Sequence, residues 1–247
     1  MDQSVEKAAN FLPRVDDSAL NMNQVDGRVV SLTNPACTAA EQYRTLYYRL
    51  ERLRTLRPMK VIAITSALAG EGKTITAVNL ALTAARANPD HRILLVDADL
   101  RRSHVADTLG LRTRPGLFEL LAGDADTKEA VRRFKSTSLA VLTSGGSAEE
   151  PTQVLAGNRM KRFLELVRDA FDEIYLDVPP VLPFADAAIL GCQSDGVLMV
   201  IRANETSMRQ VNQAIEHLAG APMIGCVLNA AEISAAPYLK SYIRGAG

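Results

Sequence analysis

The stretch Ser66-Ala-Leu-Ala-Gly-Glu-Gly-Lys-Thr74 constrains the chain more than any other. It follows the apolar run Lys60-Val-Ile-Ala-Ile-Thr65 and precedes a helical pattern running through about Ala87. A buried strand, a glycine-rich turn and a helix in that order form a phosphate cradle. Gly70 and Gly72 permit the backbone turns that let N–H groups converge on oxygens, and a helix opening near Lys73 adds its positive end. The pattern G-x-x-x-x-G-K-[ST] is met except at its first position, where Ala67 stands. In such a loop Lys73 reaches the β and γ phosphates and the Thr74 hydroxyl is placed to ligate Mg²⁺.

The rest of the chain repeats the strand–helix alternation. Arg92–Asp97, Leu139–Thr143, Glu173–Asp177, Gly196–Ile201 and Met223–Leu228 are short apolar runs. Between them Met160, Phe163, Leu164, Val167 and Phe171 recur at helical spacing, with Asn158 as cap. Met208, Val211, Ile215 and Leu218 do the same before Gly220. Buried strands alternating with amphipathic helices predict an α/β fold, a mainly parallel sheet covered by helices on both faces, with ligands at the carboxyl ends of the strands. Residues 38–56 read as a further helix, with Thr38 and Glu41 as a capping box and Pro58 as the stop. The expected organisation is a flexible N-terminal arm over 1–33, one nucleotide-binding domain over 34–232, and a short C-terminal tail over 233–247.

Two more strands end in acids. Ile93-Leu-Leu-Val-Asp-Ala-Asp-Leu-Arg-Arg102 delivers Asp97 and Asp99, a pair suited to water-mediated Mg²⁺ coordination or to taking a proton from an attacking hydroxyl. Ile174-Tyr-Leu-Asp-Val-Pro-Pro180 delivers Asp177, and its prolines end the strand. Asp177 reads as the acidic partner of the metal.

Composition excludes several classes. Lys+Arg and Asp+Glu are both 28, so the net charge is zero and no nucleic-acid footprint is expected. Cys37, Cys192 and Cys226 are an odd set with no C-x-x-C pair, which predicts core fillers in a reducing cytoplasm rather than disulfides or zinc ligands. No apolar run approaches the roughly 20 residues that span a bilayer.

Taken in order, these motifs resemble the bacterial tyrosine kinases of capsule and exopolysaccharide synthesis, P-loop ATPases related to the MinD/ParA proteins. The loop at 66–74 resembles their Walker A, Asp97-x-Asp99-x-Arg101 their Walker A′, and Asp177-Val-Pro-Pro180 their Walker B. Pro115–Gly123, Thr143–Gly145, Pro151–Leu155, Phe184–Ala187 and Gly225–Asn229 add to the likeness, which runs over 38–230. MinD/ParA proteins carry a lysine early in the loop, where this chain has Leu68. The resemblance implies ATP and Mg²⁺ as cofactors. It implies nucleotide contacts at Gly70, Glu71, Gly72, Lys73, Thr74, Ile75, Arg101 and Asn229, the last near the adenine ring. Metal ligation falls to Thr74, Asp97 and Asp177, and catalysis to Lys73, Asp97 and Asp99.

It further implies autophosphorylation in trans on a tail that here offers Tyr238 and Tyr242. Recruitment to the membrane would come from a separate transmembrane partner of the chain-length-determinant type. Glu41 and Arg44 match the family's E-x-x-R-x-x-R helix, which joins subunits into a ring, and Tyr47 replaces its second arginine. The competing expectation is a nucleotide-switched regulator of a membrane assembly without kinase activity.

Overall fold

The computed structural model describes residues 15–16, 21–134 and 137–231. The described strands form an eight-stranded sheet in the order β1-β4-β5-β3-β6-β2-β7-β8. They are β1 (Val15–Asp16), β2 (Val61–Ser66), β3 (Ile93–Asp97), β4 (Val131–Phe134), β5 (Leu139–Leu142), β6 (Glu173–Asp177), β7 (Gly196–Arg202) and β8 (Met223–Asn229). Every neighbouring pair is parallel except β4 with β5. The helices, in chain order, are α1 (Val30–Thr33), α2 (Thr38–Leu56), α3 (Lys73–Ala87), α4 (Val105–Leu109), α5 (Leu117–Ala122), α6 (Thr127–Ala130), α7 (Pro151–Ala156), α8 (Asn158–Ala170), α9 (Asp186–Cys192) and α10 (Met208–His217).

The strands that carry the motifs are buried along their whole length. Their alternate side chains feed two cores, one on each face of the sheet. Val61, Ala63, Leu94, Val96, Ile174 and Leu176 pack toward α8 residues such as Phe163 and Val167. Ile62, Ile64, Ile93, Leu95 and Tyr175 pack toward α2 and α3. A strand buried on both faces needs a continuous apolar run, which is why these three are visible in the sequence.

The structure corrects several local expectations. The cap of α2 is Cys37, whose Sγ accepts from the Ala40 N–H at 3.4 Å, so Thr38 is the first helical residue. Gly157 holds the corresponding position before α8 and Asn158 lies inside the helix. In α10, Val211 is buried and Leu218 just after it is too, but Met208 and Ile215 are exposed, and Ser207 supplies a capping box with Gln210. The cysteines are not core fillers: Cys192 and Cys226 are exposed and Cys37 is half-buried.

The arm expected over 1–33 is corrected for its second part. Val25 and Val29 join the core, and α1 lies on α3. Asn79 of α3 accepts from the Ser31 N–H at 2.8 Å and donates to the Arg28 carbonyl at 3.0 Å, while Ser31 and Thr83 pair their hydroxyls. Tyr238 and Tyr242 lie outside the described residues.

Candidate active site

The sheet order explains how three distant motifs meet. Strand β6 lies between β2 and β3, with Asp177 level with Ile64 of β2 and with Asp97 of β3. The glycine-rich loop therefore leaves β2 beside Asp177, and Asp97 stands on the other side.

Gly70 and Gly72 have φ of +85° and +94°, the left-handed region that glycine enters without steric cost. Gly72 also has a close neighbour: a Cβ there would stand 2.0 Å from Asn229 Nδ2. Asn229, at the end of β8, donates to the Glu71 carbonyl at 2.9 Å and so holds the loop from the far side. The Glu71 side chain is buried; its carboxylate accepts from the Leu68 N–H at 2.8 Å and from the Thr206 hydroxyl. Glu71 is thus a strap for the loop, leaving only its backbone for a ligand.

Helix α3 starts at Lys73 and presents its amino end to a cavity of about 580 Å³. Lys73 Nζ lies 2.8 Å from Asp99 and 3.3 Å from Asp177. Thr74 donates to Asp177 at 2.6 Å. Burial works against the Lys73 charge, but the carboxylates of Asp177 and Asp99 outweigh it and hold the ammonium above its usual range. Three acids surround this one cation, and burial resists the charge of two of them, Asp97 and Asp177. Asp97 is pushed up to about 8 by burial and by the neighbouring Asp177, and burial also raises Asp177 against the pull of Lys73.

Of the expected site residues, Gly70, Gly72, Lys73, Thr74, Ile75, Asp99 and Arg101 line the cavity together. Asp97 and Asp177 are fully buried just beneath it. The Asp97 oxygens accept from the N–H groups of Asp99 and Val105, each at 3.1 Å, so Asp97 also shapes the turn that delivers Asp99. Arg101 donates to Asp186 at 2.6 Å and stacks on Phe184, with its Cζ 4.0 Å from the ring centre. Glu41 and Arg44 lie on α2 outside the cavity and pair with each other. The sequence reading missed Asp26 and Arg28, an ion pair that lines the cavity from the segment before α1. No motif marks them; only the burial of Val25 and Val29 brings them there.

The chain matches the AAA domain family over residues 59–221. It is 35% identical to the tyrosine-protein kinase YwqD of Bacillus subtilis, over 86% of this chain and 90% of the relative. The chain is a member of the bacterial tyrosine-kinase family. Among the longer relatives of the kinase, the succinoglycan biosynthesis transport protein ExoP of Rhizobium meliloti is 32% identical over 81% of this chain, which spans only 26% of that protein. The kinase domain of the Escherichia coli tyrosine kinase ETK superposes with a TM-score of 0.75 at 27% identity, covering 96% of this chain and 89% of that one.

The residues of this kinase fit a magnesium nucleotide. The loop leaves no room for a Cβ at Gly72, the Lys73 ammonium is kept charged, and the Thr74 hydroxyl is aligned with a carboxylate. Among the described residues no three His, Cys, Asp or Glu side chains converge as a metal cage. Mg²⁺ suits such a site, because it keeps waters and phosphate oxygens beside one or two protein ligands.

Proposed function

We propose that this protein is an ATP-dependent tyrosine autokinase that phosphorylates the tail of a neighbouring copy at Tyr238 and Tyr242, and that it acts on polysaccharide polymerisation or export. The observation that carries this reading is the charged Lys73 bracketed by Asp99 and Asp177 at the mouth of a glycine-rich loop with two left-handed turns. A lysine so held is positioned for phosphate and released to it when the carboxylates turn to a cation.

Bound Mg²⁺-ATP supplies the γ-phosphoryl group and the cation that neutralises its charge. Gly70 through Thr74 orient the phosphates with backbone N–H groups and the amino end of α3. Thr74 and Asp177 hold the metal, with Asp97 behind them. Lys73 stabilises charge on the transferred group, so catalysis is positioning plus electrostatics. Asp97, its own proton expelled by the cation beside it, takes the tyrosine hydroxyl proton, with Asp99 as the acid that reaches the cavity.

The polysaccharide link is supported by likeness to ExoP. A separate transmembrane activator is proposed as partner, and no helix among the described residues is long and apolar enough to cross a membrane. Glu41 and Arg44 are proposed as subunit contacts. Tyr47 is fully buried and bonds Glu173 at 3.0 Å, so it serves the fold and contributes nothing to that surface. Replacing Glu41 and Arg44 by alanine is expected to reduce the mass of the assembly in light scattering; an unchanged mass refutes the contact.

The deciding experiment incubates the purified protein with Mg²⁺-ATP and maps phosphate by mass spectrometry, with Lys73→Ala as control. Phosphate on Tyr238 or Tyr242 that the control lacks is the expected result. ATP binding without tyrosine phosphate, with the membrane partner present, would instead support a nucleotide-switched regulator.

A further inference from the structure

A second cavity, of about 270 Å³, lies between α1, α2 and α3, away from the nucleotide site. Its lining is Ser31, Arg44, Tyr48, Thr83, Arg86 and Ala87. The lining carries two guanidinium groups and three hydroxyls and no acid. Arg44 is held by Glu41 at 2.7 Å and by the Pro35 carbonyl at 2.9 Å, whereas Arg86 has no ion-pair partner among the described residues. Forked cations beside hydroxyl donors are the chemistry that binds a phosphate group.

The tyrosine in this wall is unlike the others. Tyr48 is 60% exposed, while Tyr47 and Tyr175 are fully buried and Tyr43 is half-buried. Among the described residues Tyr48 is therefore the one tyrosine with a freely presented ring. Its ring meets that of Tyr47 edge-on, with 5.7 Å between centres.

We propose that Tyr48 is a further phosphoacceptor of the kinase, and that Arg44 and Arg86 hold the resulting phosphotyrosine. This rests on the kinase reading above. The transfer runs between copies. Arg86 and Lys73 lie near opposite ends of α3, and at 1.5 Å per residue the separation is about 20 Å, beyond the reach of a side chain to its own active site. In the step, the bond from the γ phosphorus to the bridging oxygen breaks and its electron pair leaves with ADP. The Tyr48 oxygen bonds that phosphorus, and its proton passes to the base carboxylate of the donor copy. The new group carries a charge of about −1.5 to −2, which competes with Glu41 for Arg44 and gives Arg86 a partner.

The test mixes two full-length proteins with Mg²⁺-ATP. One is active and carries Tyr48→Phe; the other carries Lys73→Ala and an intact Tyr48. Fragmentation of the Thr45–Arg49 peptide from the inactive copy distinguishes Tyr47 from Tyr48. Phosphate on Tyr48 of the inactive copy is expected, absent when both copies carry Lys73→Ala. Phosphate on the tail tyrosines with Tyr48 unmodified, or on Tyr47 instead, overturns this proposal and leaves the kinase reading standing. No tyrosine phosphate anywhere, with ATP bound, overturns the kinase reading itself. The receptor half is read separately: in phosphorylated Arg86→Ala protein an added phosphatase should clear Tyr48 several-fold faster than in wild type, and an equal rate overturns it.

Discussion

At the scale of single residues, the two loop glycines share a backbone conformation and differ in their neighbours. Gly70 has φ +85° and open space where a Cβ would go, so Gly70→Ala carries only the left-handed penalty of about 1–2 kcal/mol. Gly72 carries the same penalty and also meets Asn229 at 2.0 Å. Gly72→Ala must displace the side chain that anchors the loop, so it is expected to abolish nucleotide binding in calorimetry, whereas Gly70→Ala weakens it. Equal losses would show that Asn229 has no part in shaping the loop. Asp97 makes a second prediction. Its folded-state pKa, about 8, stands above the ordinary 3.8. The stability it contributes is therefore whole below the lower value and is lost as pH rises through the higher one. At pH 7 it holds its proton, and a cation placed beside it expels that proton. Binding of Mg²⁺-ATP at pH 7 should release protons, seen as a heat that varies with the ionisation enthalpy of the buffer. Asp97→Asn should remove that dependence.

At the scale of elements, what was legible in the sequence follows from burial. Strands β2, β3 and β6 are buried on both faces and read as continuous apolar runs, and their acids fall where the fold needs them. Strand β4 was missed because Val131-Arg132-Arg133-Phe134 has polar residues at its centre, a pattern tolerated in this antiparallel pairing with β5. The cap of α2 was misplaced by one residue because Cys37 supplied a sulfur where an oxygen was sought. Least legible was the seat of α2 on the sheet, a polar network at the end of β6 opposite the active site. Glu173, 3% exposed, pairs with Arg54 at 2.6 Å and accepts from Tyr47 and from Tyr175. Arg54 also bonds Glu51 and the Met59 carbonyl. Neither the spacing nor the residue types of this cluster distinguish it from a solvated helix face; only the packing of α2 over β6 encloses it. Arg54→Ala would remove the guanidinium from the buried Glu173 charge and leave only the partly exposed His91 ring beside it at 3.2 Å, a loss of about 3–5 kcal/mol. Urea denaturation checks this, and a loss under 1 kcal/mol would mean that water reaches Glu173 and screens it.

At the scale of the whole molecule, the segment before α2 couples the stability of the fold to the shape of its site. Val25 and Val29 are apolar anchors in the core on the α3 side, and Asp26 and Arg28 between them line the nucleotide cavity. The Asp26 N–H also donates to the Thr108 carbonyl at 3.0 Å, which ties this wall to α4 behind Asp99. The two functions can be separated. The Arg28–Asp26 pair is exposed on the arginine side, and such pairs contribute about 0–1 kcal/mol, so Arg28→Ala should leave the unfolding midpoint almost unchanged. Any effect it has on the KM for ATP then reports on the cavity wall alone. Removal of residues 1–33 takes the anchors as well. At roughly 1.5–3 kcal/mol for each buried valine it should cost several kcal/mol and open one side of the site. The expected pattern is a modest rise in KM with unchanged stability for Arg28→Ala, and a larger rise in KM with a lower unfolding midpoint for the truncation. A truncated protein that melts and binds ATP like the full chain would show that the segment lies on the domain without supporting it. A truncation that loses stability but binds ATP normally would assign the segment to the fold alone, because Asp26 and Arg28 would then border the nucleotide without touching it.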